Sequence, residues 1–437
     1  MSRAQAIRTR LRVGHLIQNA IALMVSSGGT AVLGVGFWGA AAHLASPGGV
    51  GRASAEIAAM TLLAFLAQLS FPSIFDRFLP VTGKGTRTFV IRAYAMCAVV
   101  ALVAAVVYLV AGFGRNFVPS SAGWRVLFVA AVVLWTIFVL QDSVLTGLRA
   151  TKWVPVENIL FALIKLALLP LALALTAKQG LFLAWTIPVV GATAAVNWYL
   201  FRKRIPEHER HASIESLPST REIASLAVAQ YAQALVNYFT PFIIVLIVFQ
   251  RLGAVAEARY YIPTLIWSGI AIFLLNLNTS FLVEASRDPS RLREHANVTL
   301  RAALFLLLPT MLVGIAFAPE ILRIFGTAYA EHGTTLLRLQ LLSLPGTAVT
   351  AFYSAFAWLD KRIWRLALRD LVIAVCFFAL MLTFIGRYGI LAPGIASVIG
   401  SGFQIVFFLP IAIRRYQQTA SLDIGTDDAA GAAPPAT

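Results

Sequence analysis

The chain has 437 residues, of which 59% are hydrophobic and only 12% charged, with a mean hydropathy of +0.80. A soluble domain carries about 25% charged residues, so this composition excludes an ordinary water-soluble globule. The formal charge of +16 would suggest nucleic acid in a soluble protein, but in a membrane protein basic residues collect in cytoplasmic loops, and no nucleic-acid partner is expected.

The first apolar run, 15–44, follows Arg3, Arg8, Arg10 and Arg12. It is too long for the apolar core of a signal peptide and reads as a retained first helix. Eleven further runs long enough to cross about 30 Å of hydrocarbon follow: 53–75, 88–112, 124–148, 155–177, 180–201, 221–250, 258–284, 299–318, 335–359, 364–386 and 389–413. The expected fold is an all-α polytopic membrane protein with twelve transmembrane helices. With the N-terminus placed in the cytoplasm, 25 of the 35 Lys and Arg residues fall in inside segments, nine in outside segments, and Lys165 within a span. That bias sets the orientation: both termini inside. The two cysteines, Cys97 and Cys376, both lie in apolar runs and suggest neither a disulfide framework nor a metal site.

The connector "RKRIPEHERHASIESLPSTRE" (202–222) divides the spans six and six. The expected organisation is an N-terminal lobe (1–201), a cytoplasmic linker (202–220), a C-terminal lobe (221–416) and a disordered polar tail (417–437). Six is even, so the halves form a parallel repeat about an axis along the membrane normal. A weak repeat agrees. "KWVPVENILFALIKLALLPLALALTAKQG" and "IWRLALRDLVIAVCFFALMLTFIGRYG" share an early tryptophan (Trp153, Trp364), a following acid (Glu157, Asp370) and a basic residue two before glycine (Lys178, Arg387).

Four stretches carry a resemblance: "GVGRASAEIAAMTLLAFLAQLSFPSIFDRFLP" (49–80), "LGAVAEARYYIPTLIWSGIAIFLLNLNTSFLVEASRDPSRL" (252–292), "PEILRIFGTAYAEHGTTLLRLQLLSLPGTAV" (319–349) and "YGILAPGIASVIG" (388–400). With the two six-helix lobes, the chain resembles the oligosaccharide and polysaccharide flippases of the multidrug/oligosaccharidyl-lipid/polysaccharide (MOP) exporter superfamily over roughly 15–413. The resemblance implies alternating access around a central, often basic, cavity. It also implies movement of a lipid-linked saccharide from the cytoplasmic to the outer leaflet of a bacterial inner membrane. The peptidoglycan-precursor flippases of the superfamily usually have two more helices, which argues against that branch.

Lys165 is the most informative residue. A charge at the bilayer centre costs about 2.5–3.5 kcal/mol on insertion scales and usually faces a cavity or a partner. Two readings stand: a cationic group in the transport cavity, together with Asn158 two turns earlier on the same face, or a structural ion pair with Asp142 on the preceding helix. By register Asp142 is expected about one turn nearer the cytoplasm. Glu157 has an interfacial ion pair with Arg149 as one reading and a gating role as the other. Gln18 and Asn19 in the first span, and Gln230, Gln233 and Asn237 in the seventh, suit sugar hydroxyls or interhelical hydrogen bonds.

No Walker motif, Cys/His metal spacing or nucleophile elbow occurs. No cofactor is expected and the protein is not expected to be an enzyme. The alternatives to the flippase are an ion-coupled multidrug antiporter of the same superfamily and a non-catalytic membrane scaffold for envelope assembly. The expected partners are a lipid-linked saccharide and membrane lipids, with the coupling ion open and a monomer sufficient.

Overall fold

The computed structural model describes residues 29–211, 231, 239–287, 291–359 and 363–431. The helices in chain order begin with α1 (Gly29–Leu44). α2 (Pro47–Ala67), α3 (Phe71–Phe78), α4 (Thr86–Val110), α5 (Ala122–Gly147), α6 (Trp153–Leu175), α7 (Gly180–Tyr199) and α8 (Ile205–His211) follow. α9 is Phe239–Leu252. The remainder are α10 (Ala254–Arg287), α11 (Leu292–Ala316), α12 (Ala318–Arg323), α13 (Thr327–Leu342), α14 (Leu344–Leu359), α15 (Ile363–Tyr388) and α16 (Ala392–Gly431). Among the described residues there is no strand. Among the described residues eight helical segments are long and apolar enough to cross a membrane, one of them the 51-residue run Leu368–Gln418 that holds most of α15 and part of α16. The protein is an all-α, multi-pass membrane protein. In lipid this follows from the backbone, because a helix satisfies its own N–H and C=O groups within the segment.

Two expected spans are interrupted. The second breaks into α2 and α3 at Leu69 and Ser70, whose φ of 48° and 63° lie in the left-handed region. A Pro in the first turn then restarts the chain as α3, a position where its missing N–H costs nothing. The tenth region divides into α13 and α14 at Ser343. Composition predicts a disordered tail from Gln417; the structure carries α16 on to Gly431.

The chain forms two compact units, Met1–Ala258 and Arg259–Thr437. In the first unit, Phe71, Ile74 and Phe75 of α3 pack with Val90, Ala93 and Cys97 of α4 and Leu140, Val144 and Leu145 of α5. Cys97 is buried there and Cys376 is exposed, and both are free thiols. The helix starts of α2 and α10 approach closely. A Cβ on Gly51 would lie 1.8 Å from the Ala254 carbonyl oxygen. Glycine is what permits that approach. Beside it Ser54 Oγ donates to the fully buried Glu257 carboxylate. In the second unit Phe281 of α10 stacks on Phe352 of α14, with Phe356 edge-on to both.

Candidate functional site

Lys165 lies on α6 and is 4% exposed. Its ammonium sits 3.6 Å from the ring centroid of Trp185 on α7, 5.0 Å from Phe161 and 5.2 Å from Phe37 on α1. Phe161 precedes Lys165 by four residues, so one helix face carries both. The rings hold one another in place. Phe37 meets Trp185 edge-on at 5.4 Å, Trp38 lies 6.1 Å from Trp185, and Trp135 of α5 lies 5.8 Å from Phe161 and 6.1 Å from Trp185. The negative faces of aromatic rings attract a cation, most strongly when it is desolvated. Among the described residues Lys165 forms no ion pair.

A second, polar layer lies about seven residues away along α6, roughly 10 Å at 1.5 Å per residue. Asn158 Nδ2 donates to Asp142 Oδ2 at 3.2 Å and to the Val154 carbonyl at 3.0 Å. Asn197 Nδ2 of α7 donates to Gln141 Oε1 at 2.8 Å, and Gln141 Nε2 donates to Glu157 Oε1. Helices α5, α6 and α7 thus meet through an Asn197–Gln141–Glu157 chain, with the Asn158–Asp142 pair a separate link between α5 and α6. Among the described residues Asp142 Oδ1, Glu157 Oε2 and Asn197 Oδ1 are buried with no hydrogen-bond partner. Buried polar atoms are rarely left without one.

This geometry alters the expected pairings. Asp142 is level with Asn158, not one turn from Lys165, so two turns of α6 separate it from the ammonium. Of the two readings of Lys165, the ion pair with Asp142 is not found; Asn158 bonds Asp142 on one layer and the cation lies among rings on the other. Glu157 is 7% exposed and bound to Gln141, whereas Arg149 is exposed in the α5–α6 turn with φ of 57°. No ion pair joins these two among the described residues. Gln18, Asn19, Gln230, Gln233 and Asn237 lie outside the described residues.

Sequence reasoning missed a buried cation in the second unit. Arg369 of α15 pairs with Asp370, and both side chains are about nine-tenths buried, at 10% and 11% exposure. Arg369 Nη1 donates to Ser354 Oγ at 2.8 Å, and the guanidinium lies 5.4 Å from the Tyr353 ring and 5.8 Å from Phe408. Next to it Thr350 Oγ1 donates to Gln404 Oε1 at 3.0 Å. Grouped with Lys361, Arg362 and Arg365, Arg369 reads as one more cytoplasmic charge. The signal was its position in the first turns of an apolar helix, immediately before an acid. Gln141 and Asn197 were missed too: Asn197 is a single amide in an apolar run, and Gln141 stands next to the more conspicuous Asp142.

No family model matches the sequence, and no curated protein matches it. Solved structures do match. The lipid II flippase MurJ in an inward closed conformation aligns with a TM-score of 0.66 at 15% identity, covering 93% of this chain and 90% of that one. An inward-facing multidrug resistance MATE family transporter of the MOP superfamily aligns with a TM-score of 0.61 at 14% identity, covering 92% and 99%. A MOP superfamily transporter from Pyrococcus furiosus aligns with a TM-score of 0.53 at 13% identity, covering 92% and 96%. At these identities the likeness is one of architecture, and across nearly its whole length the chain has the fold of MOP superfamily transporters.

Proposed function

We propose that this protein is a flippase that carries a lipid-linked oligosaccharide from the cytoplasmic to the outer leaflet by alternating access. It would act in cell-surface polysaccharide or glycolipid synthesis, in a bacterial inner membrane with both termini cytoplasmic. The observation that carries the reading is Lys165: a buried cation, near the middle of an apolar helix, that no carboxylate among the described residues neutralises. Polar residues inside a membrane are expensive and mark substrate paths or partners. Held against three rings and in no ion pair with the described residues, this ammonium is available to a phosphate or an acidic sugar. The Asn158–Asp142 and Asn197–Gln141–Glu157 amides supply neutral donors and acceptors of the kind sugar hydroxyls need. A protein of the same fold is named a lipid II flippase, which supports a lipid-linked cargo.

The test is a proteoliposome assay with a fluorescent lipid-linked oligosaccharide diphosphate, read by quenching of the label in the outer leaflet. Wild-type protein equilibrates the label and Lys165→Ala does not, while both reconstitute equally. Equal rates for the two would sink the reading. One observation favours a second reading, an ion-coupled antiporter. The orphan oxygens of Asp142 and Glu157 are hard acceptors suited to a coupling ion. Efflux of cationic drugs in a pump-deficient strain, lost in Asp142→Asn, would decide for it.

A further inference from the structure

Helices α4 and α5 pack along a seam of small and aromatic side chains in which Ala101, Ala105, Phe128 and Val132 are buried. Beside that seam they leave a groove of about 640 Å³. This lies within the range of roughly 300–1,000 Å³ that small-molecule sites occupy. Leu102, Val106 and Val110 form one wall, and Val126, Val129 and Leu134 the other. Short β-branched side chains at 106, 110, 126 and 129 are why it stays open, since they cannot reach across. Val110 is 83% and Val126 67% exposed, so the groove opens on the outer surface of the helix pair.

Arg125 is the single charged residue in the lining. It stands in the first turn of α5, beside Trp124, a residue type that sits at membrane–water interfaces. Among the described residues no carboxylate pairs with Arg125. No Asp or Glu occurs in sequence between Asp76 and Asp142, and Arg115 adds a second positive charge to the α4–α5 turn. The lining on α5 runs from Arg125 to Leu134, nine steps along the helix. That is roughly 13 Å of helix, close to the depth of one leaflet in a hydrocarbon core of about 30 Å.

We propose that this groove binds one anionic glycerophospholipid, with an acyl chain along α4 and α5 and its phosphate on Arg125. The depth selects a single chain of one leaflet, and by the charge asymmetry of the loops that leaflet is the outer one. The uncompensated arginine selects a headgroup of net negative charge over a zwitterionic one. The site is separate from Lys165 and does not rest on the transport reading.

The test is native mass spectrometry of the full chain released from nanodiscs of equal phosphatidylglycerol and phosphatidylethanolamine. A basic residue near the membrane surface contributes about 1 kcal/mol toward anionic lipid, or about fivefold at 25 °C. Wild-type protein should retain one lipid, with phosphatidylglycerol favoured about fivefold. Arg125→Ala should bring the ratio to about one, and Arg125→Lys should restore it. Val129→Trp and Ala130→Phe, which fill the groove, should each remove the retained lipid of either kind. These are surface positions, so folding is checked by elution volume, and either filler alone suffices. Three results would overturn the proposal: equal retention of the two lipids by wild-type protein, an unchanged ratio in Arg125→Ala, or a retained lipid in a folded groove-filled variant. Loss of the preference in excess inorganic phosphate would also overturn it, by assigning Arg125 to a free anion.

Discussion

Lys165→Met separates a cation held by rings from one held by a carboxylate. Methionine keeps the unbranched stem and removes only the ammonium. In the structure that ammonium faces three rings at 3.6, 5.0 and 5.2 Å. At about 0.5–2 kcal/mol per ring, the favourable term is on the order of 2–4 kcal/mol. Against it stands about 2.5–3.5 kcal/mol for a charge at mid-membrane. The two nearly cancel, and no buried anion is left behind when the charge goes. Fold stability should therefore change by less than roughly 1.5 kcal/mol, a midpoint shift of at most a few degrees. Had Lys165 neutralised Asp142, its removal would strand a buried carboxylate and cost about 3–5 kcal/mol. Thermal unfolding in detergent tells these apart, and the proteoliposome assay on the same preparation reports function. The expected result is a near-native midpoint with transport reduced at least tenfold. A stability loss above about 3 kcal/mol would refute the aromatic-box account, and wild-type transport would refute the role in substrate binding.

Gly51→Val should be strongly destabilising. Even its Cβ would lie 1.8 Å from the Ala254 carbonyl, and backbone cannot yield as a side chain does, so the loss should exceed the roughly 1–3 kcal/mol typical of overpacking, measured as a lowered midpoint and faster proteolysis of folded protein. Gln141→Leu removes the link between Asn197 and Glu157, leaving one oxygen of buried Glu157 and one N–H of the part-buried Asn197 amide unpaired, while the Asn197 bond to the Thr193 carbonyl remains. At about 1–3 kcal/mol for each orphaned group, the midpoint should fall, and Gln141→Asn should not rescue it, because the shorter amide cannot reach both partners. Arg369→Lys keeps the charge but loses the planar fork that meets Asp370 and Ser354 together. Such a change is not conservative, and it should lower the stability of the second unit by about 1–3 kcal/mol, seen as earlier hydrogen exchange in α14 and α15.

The helical class and most span positions were legible because they rest on one-dimensional quantities: run length, apolar content and the placement of basic residues. Lys165 stood out for the same reason, as one charge in an apolar run. Its surroundings were not legible. Phe37 and Trp185 lie 128 residues before and 20 after it, and nothing in local periodicity says that α1 and α7 close over that face of α6. The Asp142 pairing failed on a vertical error. Counting outward from a turn locates a residue to about one helical turn, but the α5–α6 turn contains Arg149 in a left-handed conformation, which changes where the helices come level. One turn of error was enough to exchange Lys165 for Asn158 as the partner of Asp142.

The same comparison sharpens what the internal repeat means. Aligned on Trp153 and Trp364, Lys165 falls opposite Cys376, and the charge looks confined to the first half. The structure makes Cys376 exposed and buries Arg369 instead. Counted from the shared tryptophan, the buried cation is 12 residues along in α6 and five along in α15. Its environment differs as well: among the described residues three rings face Lys165, while an acid, a hydroxyl and rings surround Arg369. An Arg–Asp pair that also bonds Ser354 is locally neutral and fixed, which suits a structural joint between α14 and α15. An ammonium deeper in the span, with no ion pair among the described residues, is neither. If both helices descend from one repeat, scaffold requirements would tend to keep their buried charges at one register and in one kind of setting. The seven-residue offset and the lack of a counter-ion among the described residues therefore support the proposal that Lys165 serves a ligand.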